Sequence, residues 1–310
     1  MAPASAAPQS YLTGVVLVLF AGLCWSSGGL LFRLVEDAGV WQIIFYRSFS
    51  LTIAMAMVIP TMNRGRFFSV VMGAGSSGLI CGFCIATASF SFLLSLNYTT
   101  VANSVFMLAA MPFFAAFLGW WILRERVRVN TWTAMAIAFL GLGVMVIAGF
   151  QAGDAIGNIL ALYAAFAAAC FSVLLRWGQD TDMMPAIFHA GWFGMIFAGI
   201  LLSFPSPWSE VYGLSQYAIS WHDLAFCVLM GFMQLALGLV LFTLGARSVP
   251  AAELTLLSLS EPLLAPVWVW LAVGEIPKIY TIVGGAILMT ALVYQALSGA
   301  RRKPMPAPLR

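Results

Sequence analysis

At 310 residues, 62 % apolar and 8 % charged, with a mean hydropathy of +0.98, this chain cannot cover its apolar surface as a water-soluble globule. Soluble domains carry roughly 25 % charged residues. The formal net charge is only +3, and the chain must use the bilayer as its solvent.

The first residues, 1–11, are rich in Ala and Pro and lack a basic stretch, so they read as a cytoplasmic tail and not as a signal peptide. Ten apolar runs follow, near 12–32, 40–60, 69–95, 101–123, 131–150, 157–177, 184–204, 222–246, 250–273 and 277–298. Each approaches or exceeds the roughly 20 residues that cross a hydrocarbon core. The runs are uninterrupted, which fits helices and excludes the alternating pattern of a membrane barrel. Pro185, Pro250 and Pro277 fall at helix starts, where a missing N–H is harmless. Between the seventh and eighth runs, Trp208, Tyr212, Tyr217 and Trp221 mark an interfacial aromatic segment. A basic tail, 299–310, closes the chain.

A short pattern occurs twice, 150 residues apart. Pro112-Phe-Phe-Ala115 is followed by Glu125, and Pro262-Leu-Leu-Ala265 by Glu275. The stretch from Gly14 to Arg33 likewise matches the one from Gly157 to Arg176. Residues 12–150 and 151–298 therefore read as two five-helix copies of one unit. With the N-terminus inside, eleven Lys and Arg residues fall in inner loops and tail, and only Arg33 and Lys278 outside. This positive-inside bias predicts cytoplasmic termini. An odd number of helices per unit inverts the second copy, a plan common in carriers with a midplane site.

The paired patterns Leu108-x3-Pro112…Glu125 and Ser258-x3-Pro262…Glu275, with Phe45-Tyr46-Arg47, resemble the drug/metabolite transporter superfamily in its ten-helix EamA-type branch. Within it the chain is most similar to the YddG-type exporters of aromatic and other amino acids. The resemblance covers about 12–298. It implies a cavity lined mainly by the third, fourth, eighth and ninth helices. It also implies export of small metabolites across a bacterial inner membrane.

Few residues at depth can carry chemistry. Glu253 and Glu261 lie inside the ninth run, and a carboxylate there normally faces a cavity or a partner. Asn103 is the counterpart of Glu253 in the first copy. Arg47 could grip a substrate carboxylate through its guanidinium fork; the plainer alternative is an interfacial Arg that snorkels or pairs with a neighbouring helix, and the resemblance leans that way. His189 could relay a proton or simply pack. Pro112 and Pro262 interrupt their helices and free the carbonyls of Leu108 and Ser258, which makes them kinks compatible with a gate. Phe90, Phe106, Gln234 and Ser258 are further candidates for the cavity wall, with Trp25, Phe242, Ser89 and Ser260 among other aromatics and serines at depth.

Cys81-Gly-Phe-Cys84 has redox spacing but sits in mid-helix and reads as packing. No Cys/His cluster has zinc-ligand spacing, no phosphate-binding Gly-x4-Gly-Lys loop occurs, and no cofactor is expected. A nucleic-acid partner is not expected either; the partners are the bilayer and a small amphipathic metabolite, and the protein is a monomer or homodimer. The leading expectation is a secondary exporter of amino acids or similar small metabolites, working by alternating access. Drug-like cations or nucleotide-sugar-like anions are the alternative solutes. Both would want more buried charge of one sign, so the sparse charge favours a zwitterionic or neutral substrate. An intramembrane enzyme or a membrane scaffold is the remote alternative, since no nucleophile–base pair is evident.

Overall fold

The computed structural model of the protein describes residues 10–98, 101–108, 110–124, 129–147, 155–178, 183–203, 217–274 and 279–300. Among these residues every regular element is helical. Outside them lie Glu125, Glu275, Arg126, Arg128, Pro277, Lys278, Trp208, Tyr212 and the basic tail. The side chains of Asn103 and Phe106 are also outside the described set.

Seven helices among the described residues are long and apolar enough to cross a membrane, and three shorter apolar helices accompany them. The first is α1 (Tyr11–Arg33), whose N-cap Ser10 accepts a hydrogen bond from the Thr13 N–H. It leads through a short loop into α2 (Val40–Met62). The run expected over 69–95 begins differently: a short α3 (Phe67–Gly73) precedes α4 (Gly75–Tyr98). The joint is Gly75, at φ +55°, a left-handed conformation that glycine tolerates best.

The fourth and ninth runs are each divided in two. In the first, α5 (Val101–Leu108) and α6 (Met111–Ile122) are separated by a turn at Ala110. In the second, α12 (Ala251–Leu257) and α13 (Ser260–Val273) are separated by a turn at Ser258 and Leu259. Both prolines thus stand in the first turn of a new helix, where the missing N–H is one of the groups left unpaired in any case. This corrects one expectation: the Ser258 carbonyl is not left free, because the Glu261 N–H donates to it at 3.0 Å.

Between those pairs run α7 (Val129–Ile147), α8 (Ala155–Trp177), α9 (Met184–Ser203) and α10 (Trp221–Leu229). The last continues through a π-helical stretch, Met230–Leu237, into α11 (Gly238–Gly245). Finally, α14 (Ile279–Ala300) packs against α7. The largest of three core clusters among the described residues is the one in which α1, α2, α4, α6, α8, α9, α11 and α12 meet. Many large apolar side chains remain outside it; Trp121 is 68 % and Leu271 67 % exposed. Such a belt is stable against lipid and would be a liability in water.

Two buried carboxylates pin helix ends together. Asp223, fully buried in the first turn of α10, accepts from the N–H groups of Glu36, Asp37 and Ala38 at 2.9–3.0 Å. It thereby fastens the α1–α2 loop to α10. Glu253, 3 % exposed, accepts from the Tyr11 hydroxyl at 3.2 Å and the Thr131 hydroxyl at 3.4 Å. It joins the starts of α1, α7 and α12.

Candidate functional site

A cavity with several polar groups lies where α1, α2, α4, α5, α8, the π-helical stretch, α11 and α13 converge. Its outline spans about 820 Å3, including space open to solvent. The wall is mostly apolar, with Trp25, Phe92, Phe171 and Phe242 supplying aromatic surface. Its polar groups are few: Arg47, Ser89, Ser172, Gln234, Ser258 and Glu261.

Local structure places each of them. Gln234 points inward from the π-helical stretch, a widened turn that recurs at functional sites. A Cβ on Gly28 would stand 2.2 Å from Gln234 Nε2, and one on Gly238 would stand 2.4 Å from Trp25 Nε1. Glycine at these positions lets α1 and the eighth span approach closely beside the cavity. Trp25 then packs on Phe242 at 5.1 Å, and Phe242 stacks on Phe171 at 6.0 Å. Glu261 and Pro262 reach the cavity because the break before them ends one helix and begins another at this depth. An acidic residue in the first turn of α13 also suits the positive end of the helix dipole. The Trp268 indole N–H, donating to the Ser26 hydroxyl at 2.8 Å, holds α13 against α1.

Arg47 is the most unusual member. It is 2 % exposed, and a guanidinium N–H donates to the Ser89 hydroxyl at 2.6 Å. Its Nε has no hydrogen-bond partner, and among the described residues no carboxylate is within ion-pair distance. The same side chain borders a second, smaller cavity of about 310 Å3 between α2, α4 and α9. Interfacial snorkelling, one half of the plainer reading from sequence, does not describe a guanidinium this deeply buried; its bond to Ser89 is a contact with a neighbouring helix, the other half.

Of the other candidates, Phe90 lines the smaller cavity and stacks on Phe197 at 4.7 Å. Glu253 is not in either wall; it is held by Tyr11 and Thr131. His189 is likewise outside both walls and accepts from the Trp192 indole N–H at 2.8 Å through Nδ1. Pro112 stands beside the main cavity's Met111 without lining it. Sequence reasoning did not single out Ser172, Phe92 or Phe171, whose helix faces no local signal distinguishes. Asp223 was also missed, although Ser220-x-x-Asp223 is the spacing of a helix N-terminal cap.

Apolar helices of membrane length around a mostly apolar cavity with sparse polar groups define a multi-pass membrane protein. The chain belongs to the EamA-like transporter family, which it matches over residues 12–147 and 155–295. It is 25 % identical over 298 residues to the "Uncharacterized transporter YwfM" of Bacillus subtilis, covering 94 % of this chain and 96 % of that protein. To the "Uncharacterized transporter YdfC" of the same organism it is 26 % identical over 225 residues, 70 % of each chain. A solved crystal structure shares the fold at a TM-score of 0.73, with 15 % identity over 93 % of this chain and 98 % of that one. The protein is thus a membrane transporter.

Proposed function

We propose that the protein is a secondary exporter of amino acids, aromatic or otherwise apolar, in a bacterial inner membrane, working by alternating access around the main cavity. The observation that carries this reading is the wall itself: aromatic surface for an apolar side chain, with one guanidinium and one carboxyl group among its polar groups. The charge is too sparse for a phosphorylated anion and too balanced for a dication. No nucleophile–base pair in the wall supports an enzymatic reading.

Alternating access needs two packings of similar stability, and an inverted duplication supplies them. We read residues 12–150 and 151–298 as its halves, ten spans in all. What supports this is that the helix contacts come in exchanged pairs. Helix α1 packs on α13 and α11, and α8 packs on α6 and α4. Helix α4 packs on α9, and the π-helical stretch on α2. The contacts α2 with α9 and α7 with α14 are their own counterparts.

Counterflow in proteoliposomes tests the function: an internal amino acid is expected to accelerate uptake of the labelled one. A protein that moves no amino acid but moves a drug-like cation would replace this reading. Orientation has a separate test in a background without the native cysteines. A membrane-impermeant thiol reagent outside the cell is expected to label Lys278→Cys and spare Arg126→Cys. The reverse pattern would overturn the cytoplasmic assignment of both termini.

The paired prolines are read as hinges. Pro262→Ala removes the ring that bars a continuous helix and so frees the break between α12 and α13 to close. The expected result is a several-fold change in transport rate with little change in substrate affinity. Unchanged flux in the Ala variant would remove the hinge role.

A further inference from the structure

A guanidinium that is 2 % exposed, with Nε unpartnered and no carboxylate in reach among the described residues, is an incomplete arrangement. Buried cations in membrane proteins pair with an anion or a backbone carbonyl, or face a hydrated cavity. Arg47 borders two cavities, and its partners are both neutral: the Ser89 hydroxyl at 2.6 Å and, at the longer distance of 3.5 Å, the Ser89 carbonyl. The protein provides the fork and leaves the anion to be supplied from elsewhere.

The same wall contains Glu261, for which no ion pair with Arg47 forms. A protein seeking only stability would pair these two charges or replace both with apolar residues. Held in one cavity and kept apart, they present a separated positive and negative group to an occupant. Gln234 adds a buried amide oxygen that also lacks a partner. The rest of the wall is aromatic and aliphatic.

We propose that Arg47, positioned by Ser89, is the carboxylate-binding residue of the cavity, and that Glu261 receives the ammonium of the same zwitterionic ligand. This rests on the transport reading above and specifies how its substrate is recognised. The guanidinium fork donates to both carboxylate oxygens, using the Nε–H that is now unpaired. An apolar side chain then lies against Trp25, Phe92 and Phe242. A ligand lacking its carboxylate leaves the cation buried and unpaired, so discrimination is strong.

The test uses purified full-length protein in proteoliposomes and a matched set: phenylalanine, its carboxamide, its decarboxylated amine and the amine-free acid 3-phenylpropionate. For the parent protein, competition by phenylalanine is expected to be at least ten-fold stronger than by the carboxamide or the amine. In Arg47→Gln that preference is expected to collapse to near unity. Arg47→Lys is expected to retain part of it, since charge remains but the fork is lost. Equal competition by acid and carboxamide in the parent protein overturns the Arg47 assignment, and does so even if the variants fail to fold. Retained preference in Arg47→Gln overturns it as well, while amino-acid transport itself stands. If 3-phenylpropionate is carried and phenylalanine is not, the Arg47 role holds but the ammonium role of Glu261 and the amino-acid reading both fall. If the amine alone is carried, the Arg47 role and the amino-acid reading fall together.

Discussion

Replacing Asp223 with alanine is expected to lower stability by about 2–4 kcal/mol, as an estimate from three buried or half-buried hydrogen bonds to one charged acceptor. Both carboxylate oxygens are in use: Oδ1 accepts from Glu36 N–H, and Oδ2 from Asp37 and Ala38 N–H. These donors belong to the loop that joins α1 to α2, and they point inward onto α10. Alanine leaves three converging N–H groups without an acceptor. Water can reach some of them, because Glu36 and Asp37 are exposed, which is why the cost stays below the sum of three orphaned donors. Asparagine is also expected to destabilise, because its NH2 would face an N–H donor. The check is a thermal unfolding curve of the purified protein in detergent. A midpoint for Asp223→Ala equal to that of the parent would show that the loop holds its shape without the carboxylate.

Asp223 also illustrates what sequence reading can and cannot reach. The helical membrane class was legible because it depends on composition and on the length of apolar runs. Both are properties of the chain alone. Gln234, Ser258 and Glu261 were legible as candidates because polar groups are conspicuous at depth. The partners of such groups were not legible. Nothing near Asp223 in sequence indicates that its acceptors serve residues 186 positions away, such as Asp37. Glu253 looked like a cavity residue by its depth, yet the rotation of α12 turns it toward Tyr11 and Thr131. The reverse holds for Arg47, whose plainer reading was an interfacial one and which is closed in by α4 and α9. The π-helical stretch left no sequence mark, although it carries Gln234 to the wall. Breaks at Pro112 and Pro262 were foreseen, but their form was not. A kinked helix and two helices with a turn between them satisfy the same missing N–H, and tertiary packing selects one.

Glu261→Gln carries the largest expected effect on transport. The side chain is nearly isosteric, so the break before Pro262 and the Glu261 N–H bond to Ser258 should persist. What disappears is the charge. A charge-assisted hydrogen bond is worth about 1.5–3 kcal/mol, which corresponds to roughly a ten- to hundred-fold loss in affinity for an ammonium-bearing substrate. Flux at low substrate concentration should fall by a similar factor. Any dependence of flux on pH that arises from this carboxylate should also vanish, because an amide does not titrate. The measurement is flux against pH for parent and variant, with size-exclusion behaviour as the control for folding. A folded variant with the parent's flux and pH profile would make Glu261 a structural residue. A folded variant whose flux falls while its pH profile stays unchanged would keep the carboxylate as a substrate contact and remove it from any proton step. The proline beside it makes the distinction informative: a group in the first turn of α13 both faces the cavity and sits on the element expected to move.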